Sequence, residues 1–475
     1  MVLNREAITK IQAAVIFVIV VVALIAGIAY YYAALPTPTP ATPTPATLTP
    51  ATLTPATLTP ATLTPATPTT PLPSEIRLGT VQHLSGPLTM MGQYALIGLQ
   101  IGVKWVNDRG GVNLQGQKIP VRLIYYDDEC RIEYAQSLVE KLIVEDKIHF
   151  CVPPWTPDFV MATVPICEKH KIVSFSPGGG SDEEYKQGFK YMIQYGFHGS
   201  RFAYTPLETV RKLDPTVKKI AVIASDADVG GVILSGFYDA VKIYGYEIVY
   251  EKIYPETITD AAPLLREVVA SNPDYFYGGT FPASGMLIAS QLRDLKINFK
   301  YVLLTMVADK REFGEAFGKW AVGFLSGAQY DERTRWDEKA KKEGKEYIGP
   351  TNSEIKSYWK SIESGMVRPE VGQAAPIPAI MAKCVEDAQS LDPEKIVKAA
   401  LALDIYTCKG RFKLDPDNPA HQTGLLECGY MVQWQRDGDK LVYNLIAPIE
   451  FATGQLVQMP TWEEKEKWPE LQLVW

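Results

Sequence analysis

Ile76-Arg77-Leu78-Gly79-Thr80-Val81, followed by the turn His83-Leu84-Ser85-Gly86-Pro87, is the stretch whose reading decides the fold. The apolar run reads as a buried strand. After the polar turn, Leu96, Leu99, Gly102, Val103 and Val106 recur at helical spacing between Tyr94 and Asp108. Asp108-Arg109-Gly110-Gly111 ends that helix, because glycine accepts the left-handed conformation of a C-cap. A second strand spans Ile119 to Tyr126 and runs into Asp127-Asp128-Glu129-Cys130. Strand, turn, helix and strand make one βαβ unit, which predicts a parallel sheet with a right-handed crossover. Open sheets of this kind hold ligands beyond the carboxyl ends of their strands, so the Ser85-Gly86 turn is the first candidate for a site.

The same rhythm continues outward. Helix Glu133–Glu145 leads to strand Ile148–Val152, and helix Phe159–Lys169 leads to strand Ile172–Phe175. A glycine-rich loop, Ser176-Pro177-Gly178-Gly179-Gly180-Ser181, follows. A second α/β series runs from strand Lys219–Ser225 to strand Val322–Ala328. Beyond Asp331 come a charged segment, three helices, and two strands near Thr407–Leu414 and Glu427–Gln435 that read as a hairpin. About 400 residues exceed what one core supports, so two lobes are expected.

The first 73 residues are different. Ala13 to Leu35 carries no charge over 23 residues, long enough to cross a bilayer that needs roughly 20. Arg5 and Lys10 precede it, which keeps the N-terminus cytoplasmic and places the rest outside. Residues 1–35 therefore read as a cytoplasmic tip and a single-pass anchor in the cell membrane. A cleaved signal is the alternative, although its apolar core normally spans only about 7–15 residues. Residues 36–73 are low-complexity, with Ala-Thr-Leu-Thr-Pro repeated in register from 46 to 65. Such a segment favours polyproline II and makes a stalk up to about 120 Å long, either bare or O-glycosylated.

Composition excludes other classes. A net charge of −7 without a basic stripe argues against nucleic acid as a partner. Six cysteines on the outer face of a membrane permit disulfides. Cys408 with Cys428 is the favoured pair, in the expected hairpin, and Cys130 with Cys151 the weaker one. Phosphate-loop, zinc-protease, dithiol and nucleophile-elbow motifs are absent, so neither an enzyme nor a cofactor or metal is expected. His83 reads as a hydrogen-bonding loop residue. Asp127, Asp128 and Glu129 read as caps for the helix that follows.

Leu84-Ser85-Gly86-Pro87, Trp105-Val106-Asn107-Asp108-Arg109-Gly110-Gly111-Val112 and Tyr126-Asp127-Asp128-Glu129-Cys130 together resemble the leucine/isoleucine/valine-binding protein family. These are the type I periplasmic binding proteins of branched-chain amino-acid ABC transporters. Phe175-Ser176-Pro177, Tyr277-Gly278-Gly279 and Lys409-Gly410-Arg411-Phe412 extend the likeness over nearly all of the chain after residue 74. The resemblance implies an α/β, two-lobed clamshell, each lobe a mainly parallel sheet flanked by helices. Lobe 1 would comprise 74–199 with 329–403, and lobe 2 would comprise 200–328 with 404–475. It implies a monomer that binds a small amino acid, carboxylate or amide between its lobes and delivers it to an ABC permease. A sensory ectodomain of the same fold is the alternative, and an envelope enzyme a more distant one.

Carried over residue by residue, the family's cleft falls on Ser85, Met91, Trp155, Thr156, Gly178, Gly180, Ser181, Val229, Thr280, Phe281 and Thr305. Thr156 keeps a hydroxyl for a ligand carboxylate, and the Gly178–Ser181 loop is expected to offer backbone donors. Aromatic walls are missing at Met91, Val229 and Thr280, with Phe281 one residue away. Thr305 stands where the family has an ammonium-pairing acid. A buried ammonium without a partner costs several kcal/mol, so a small anion or amide is expected in place of a branched-chain amino acid. Only Asp226, Asp228, Asp309 or Asp331 reaching the cleft would reverse that expectation.

Overall fold

The structure is a computed structural model that describes residues 71–196, 199–226, 232–422 and 429–475. The expected anchor, most of the stalk, Val229, Asp228 and Cys428 lie outside the described residues. Among the described residues no helix is long and apolar enough to cross a membrane.

One strand and a turn open the first lobe. Strand β1 (Ile76–Gln82) is buried along almost its whole length, as expected of a strand covered on both faces. The helix that follows starts at Thr89, earlier than the apolar spacing suggested, and ends at Asp108. A short hairpin, β2 (Val112–Leu114) with β3 (Gln117–Ile119), precedes β4 (Val121–Asp127). The predicted single strand from Ile119 is therefore a hairpin arm and a separate strand, divided at Pro120, which has no N–H to donate. Strands β5 (Phe150–Val152), β6 (Val173–Ser176) and β7 (Met192–Gln194) complete a parallel sheet in the order β4-β1-β5-β6-β7.

The second lobe repeats the plan with β8 (Lys219–Ser225), β9 (Glu247–Tyr254), β10 (Tyr275–Gly279), β11 (Tyr301–Leu304) and β12 (Phe324–Ala328). These five are parallel, in the order β9-β8-β10-β11-β12. A separate antiparallel meander consists of β13 (Asp404–Thr407), β14 (Gly410–Asp415) and β15 (Asn418–Gln422). Then β16 (Tyr430–Asp437), β17 (Lys440–Ala447) and β18 (Gln472–Val474) extend the second sheet beyond β12 to eight strands.

Two boundaries move relative to the sequence reading. Ile405, Phe412 and Leu414 of the meander are buried in the core of the first lobe, with Phe150, Phe175 and Ile193. The meander thus packs on lobe 1 through these residues, although it was expected with lobe 2, while Tyr406 joins the core of lobe 2. Conversely, Trp336 and Ala340 join the second lobe's core beside Tyr430 and Trp434. The expected hairpin between 407–414 and 427–435 does not form either. Strand β14 pairs with β13 and β15, and β16 pairs with β12 and β17. Apolar period alone could not choose among these partners, because each strand has a buried face for more than one of them.

The helix Thr89–Asp108 carries Gly98 and Gly102 on the face it turns to residues 371–378. A Cβ there would lie 2.5 Å from Val371 O and 2.3 Å from Ala375 O. The two glycines let the helix Pro369–Ala374 pack backbone to backbone, which brings Pro369 and Glu370 to the mouth of the cleft described next.

Candidate functional site: an interlobe cavity

In each lobe the strand order reverses beside the first strand: β1 lies between β4 and β5, and β8 between β9 and β10. Loops at such a switch point diverge to opposite faces of the sheet and leave a crevice. The loops after β1 and β5 deliver Leu88, Met91, Trp155, Thr156 and Pro157 to one wall of a cavity of about 440 Å³. The loops after β10 and β11 deliver Phe281, Pro282, Met306, Asp309 and Lys310 to the other. Phe202 and Gln329 come from two of the chain crossings between the lobes. Most of the lining is apolar or aromatic, with polar groups at a few points, as in small-molecule sites generally.

Thr156 precedes the helix Pro157–His170 and makes no capping hydrogen bond of its own. Its Oγ1 is enclosed and has no partner. Pro157 at the first helical position supplies no N–H, but the next two amides have no acceptor inside the helix. Thr156 and Pro157 both belong to the cavity lining, at the N-terminus of that helix. On the other wall Asp309 places Oδ2 2.9 Å from Lys310 Nζ, with its side chain only 8% exposed. Its Oδ1 is enclosed and has no partner. Burial opposes the charge of Lys310, yet Asp309, Glu370 and Glu312 hold its pKa above the ordinary lysine value. Met306 sits beside this pair with φ of 59°, in the left-handed region; such a conformation costs about 1 kcal/mol or more in a non-glycine residue.

Asp309, one of the four acids named as able to pair an ammonium, belongs to the cavity lining. The glycine-rich loop overturns an expectation. Gly179 N–H donates to Trp155 O at 2.7 Å. Gly180 and Ser181 N–H both donate to Glu184 Oε1, at 3.0 and 3.1 Å. The donors expected to meet a ligand carboxylate are spent on an internal carboxylate, which is fully buried. The signal was present as Ser181-Asp182-Glu183-Glu184, the Ser-x-x-Glu pattern of a capping box.

Of the expected cleft residues, Met91, Trp155, Thr156, Gly180, Ser181 and Phe281 line the cavity. Thr280 and Thr305 do not: they are buried and bonded to each other, Thr280 Oγ1 donating to Thr305 O at 2.7 Å. Gly178 lies behind the wall, where a Cβ would meet Trp155 O at 2.2 Å. Ser85 also stands back from the cavity; its N–H donates to Asp127 Oδ1 at 3.2 Å. Leu88, Phe202, Met306, Lys310, Gln329 and Glu370 are among the further lining residues that the sequence reading did not place in the cleft.

The acidic cluster has a different task from the one expected. The helix Ile132–Val144 receives no side-chain cap from it. Instead Asp127 Oδ1 accepts the N–H groups of Leu84, Ser85 and Glu129. Burial opposes its charge, but these bonds and the Ser85 hydroxyl hold its carboxyl below the usual range. Asp128 pairs with His83, so His83 is a buried hydrogen-bonding residue as read. Cys130 and Cys151 are free thiols, which overturns the weaker disulfide. Cys151 lies in the same buried cluster as Cys167. Cys408 is also a buried free thiol, bonded to Gly372 O.

The periplasmic binding protein profile matches residues 75–439, and the chain belongs to that family, among its leucine/isoleucine/valine-binding relatives. It is 23% identical over 231 residues to the Leu/Ile/Val-binding protein homolog 7 of Brucella abortus, an alignment covering 47% of this chain and 57% of that protein. The chain thus spans little more than half the length of the curated relatives it matches. A leucine-binding protein of Thermotoga maritima shares the fold with a TM-score of 0.61 and 17% identity, covering 79% of this chain and 99% of that one. An R. palustris solute-binding protein of an ABC transporter, solved with 4-hydroxybenzoate, has a TM-score of 0.60 and 18% identity, covering 82% and 97%. These relatives are binding proteins, and at the level of the family so is this chain.

Proposed function

We propose that this chain is an extracellular, membrane-tethered solute-binding protein of an ABC importer, and that its solute is an apolar amino acid or its amide. One observation carries the choice of solute. Two enclosed, unpartnered polar groups, Thr156 Oγ1 and Asp309 Oδ1, belong to opposite walls of one apolar cavity. An unpaired buried polar group costs about 1–3 kcal/mol. A solute with a carboxylate or amide oxygen at one end and an N–H donor at the other satisfies both, while its apolar body meets Trp155, Phe202, Phe281 and Met306. Tethering rests on the uncharged run from Ala13 to Leu35 and the stalk after it.

A second reading replaces the amino group with a phenol. Trp155, Phe202 and Phe281 suit an aromatic ring, and a phenolic O–H can also donate to Asp309. Titration calorimetry of the full-length chain in detergent tests both. Leucine, phenylalanine and their amides form one arm, 4-hydroxybenzoate the second, and benzoate and isovalerate, which lack the donor, the third. The donor-bearing solutes of one of the first two arms bind at least about tenfold tighter than the third arm, a difference of about 1.4 kcal/mol. Equal binding across all three arms overturns the assignment.

A further inference from the structure

At the carboxyl edge of the first sheet, three groups outside the cavity lining converge. His83, Asp128 and Cys130 each place one ligand atom within 4.8 Å of the others. His83 Nδ1 and Asp128 Oδ1 are 2.9 Å apart, and both side chains are fully buried. Asp128 has no lysine or arginine partner among the described residues, and its Oδ2 is enclosed without any donor. A buried carboxylate in that position calls for a cation. Cys130 Sγ is 3.1 Å from Ser85 O and accepts the Leu88 N–H at 3.3 Å. A backbone N–H aimed at sulfur stabilises a thiolate more than a thiol, and such outer-shell donors accompany metal-bound cysteines.

We propose that His83, Asp128 and Cys130 form a site for a thiophilic divalent cation of the zinc class. One nitrogen, one oxygen and one sulfur ligand suit that ion, with water or Ser85 O as the fourth. Binding breaks the Cys130 S–H bond and releases its proton to solvent. The proton that Nδ1 shares with Asp128 leaves to solvent and Nε2 takes one up, so the imidazole ends neutral with its Nδ1 lone pair on the metal. A doubly charged ion balances the carboxylate and the thiolate. The ion ties β1 to the loop after β4, and through Cys130 it fixes the turn that carries Leu88 into the cleft.

Cobalt(II) titration of the purified full-length chain, followed by absorption, tests the proposal. One equivalent of Co2+ gives a near-ultraviolet sulfur-to-cobalt charge-transfer band, and Zn2+ bleaches it. C130S loses the band and binds Co2+ at least about tenfold more weakly, and its circular dichroism stays native because serine keeps both hydrogen bonds. D128N weakens binding but keeps the band, and C384S, altered at a distant buried thiol, behaves as the parent. The proposal is overturned if no stoichiometric uptake occurs at micromolar metal, if the band is missing, or if C130S retains it.

Discussion

Asp309→Asn separates a ligand-binding carboxylate from a structural one. In the unliganded protein Asp309 is expensive to keep: its side chain is 8% exposed, and one oxygen has no partner. Among the described residues its ion-pair partner is Lys310, whose side chain keeps 39% exposure. A partly exposed pair of this kind contributes about 0–1 kcal/mol, while the enclosed bare oxygen costs about 1–3 kcal/mol. Asparagine keeps the shape and removes the charge, so the melting temperature of the unliganded variant is unchanged or higher. Binding responds in the opposite direction. A hydrogen bond to a charged acceptor is worth about 1.5–3 kcal/mol, which is a loss of roughly 10- to 150-fold in affinity. Calorimetry with the tightest solute of the panel, beside thermal melts without solute, reads the two effects separately. Unchanged affinity would refute the role given to Asp309, and so would a variant whose lost binding merely tracks lost folded protein.

Two further substitutions probe the scaffold. Lys465 is wholly buried and donates to Trp320 O at 3.1 Å, with the Trp462 ring 4.2 Å away; its hydrogen-bond partners among the described residues include no carboxylate. Burial pushes its pKa well down, so between that value and about 10.4 the unfolded chain binds more protons than the folded one. Stability then rises with pH by at most about 1.4 kcal/mol per unit. Lys465→Met removes this slope and stabilises the protein at pH 7; urea melts at pH 7 and pH 9 in which the two proteins respond identically to pH would contradict the account. Gly372→Ala puts a methyl group 2.3 Å from the ring of Tyr330, whose hydroxyl is held by Asn352 Oδ1 at 2.7 Å. Overpacking there costs about 1–3 kcal/mol, and a melting temperature within a degree of the parent would show that the ring can move aside.

Much of the fold was legible because it rests on short-range patterns. The strand at Ile76, the glycine stop at Gly110-Gly111 and the succession of strand and helix each follow from local spacing. They specify a parallel sheet and hence a crevice at its carboxyl edge. The partners of β13 to β16 were not legible, because several strands offer compatible faces and only packing against Phe150 and Phe175, or against Trp336 and Trp434, selects one. The chemistry of the cleft divides along the same line. Thr156 could be placed by counting from a strand. Asp309 lies in a loop whose path depends on the left-handed Met306, and no periodicity reports where such a loop points. Which carboxylate takes the amides of Gly180 and Ser181 was written in the sequence as Ser181 and Glu184, three residues apart. That the same amides are thereby denied to a solute emerges only when both lobes are folded around one cavity, because a hydrogen-bond donor serves the acceptor that burial brings to it.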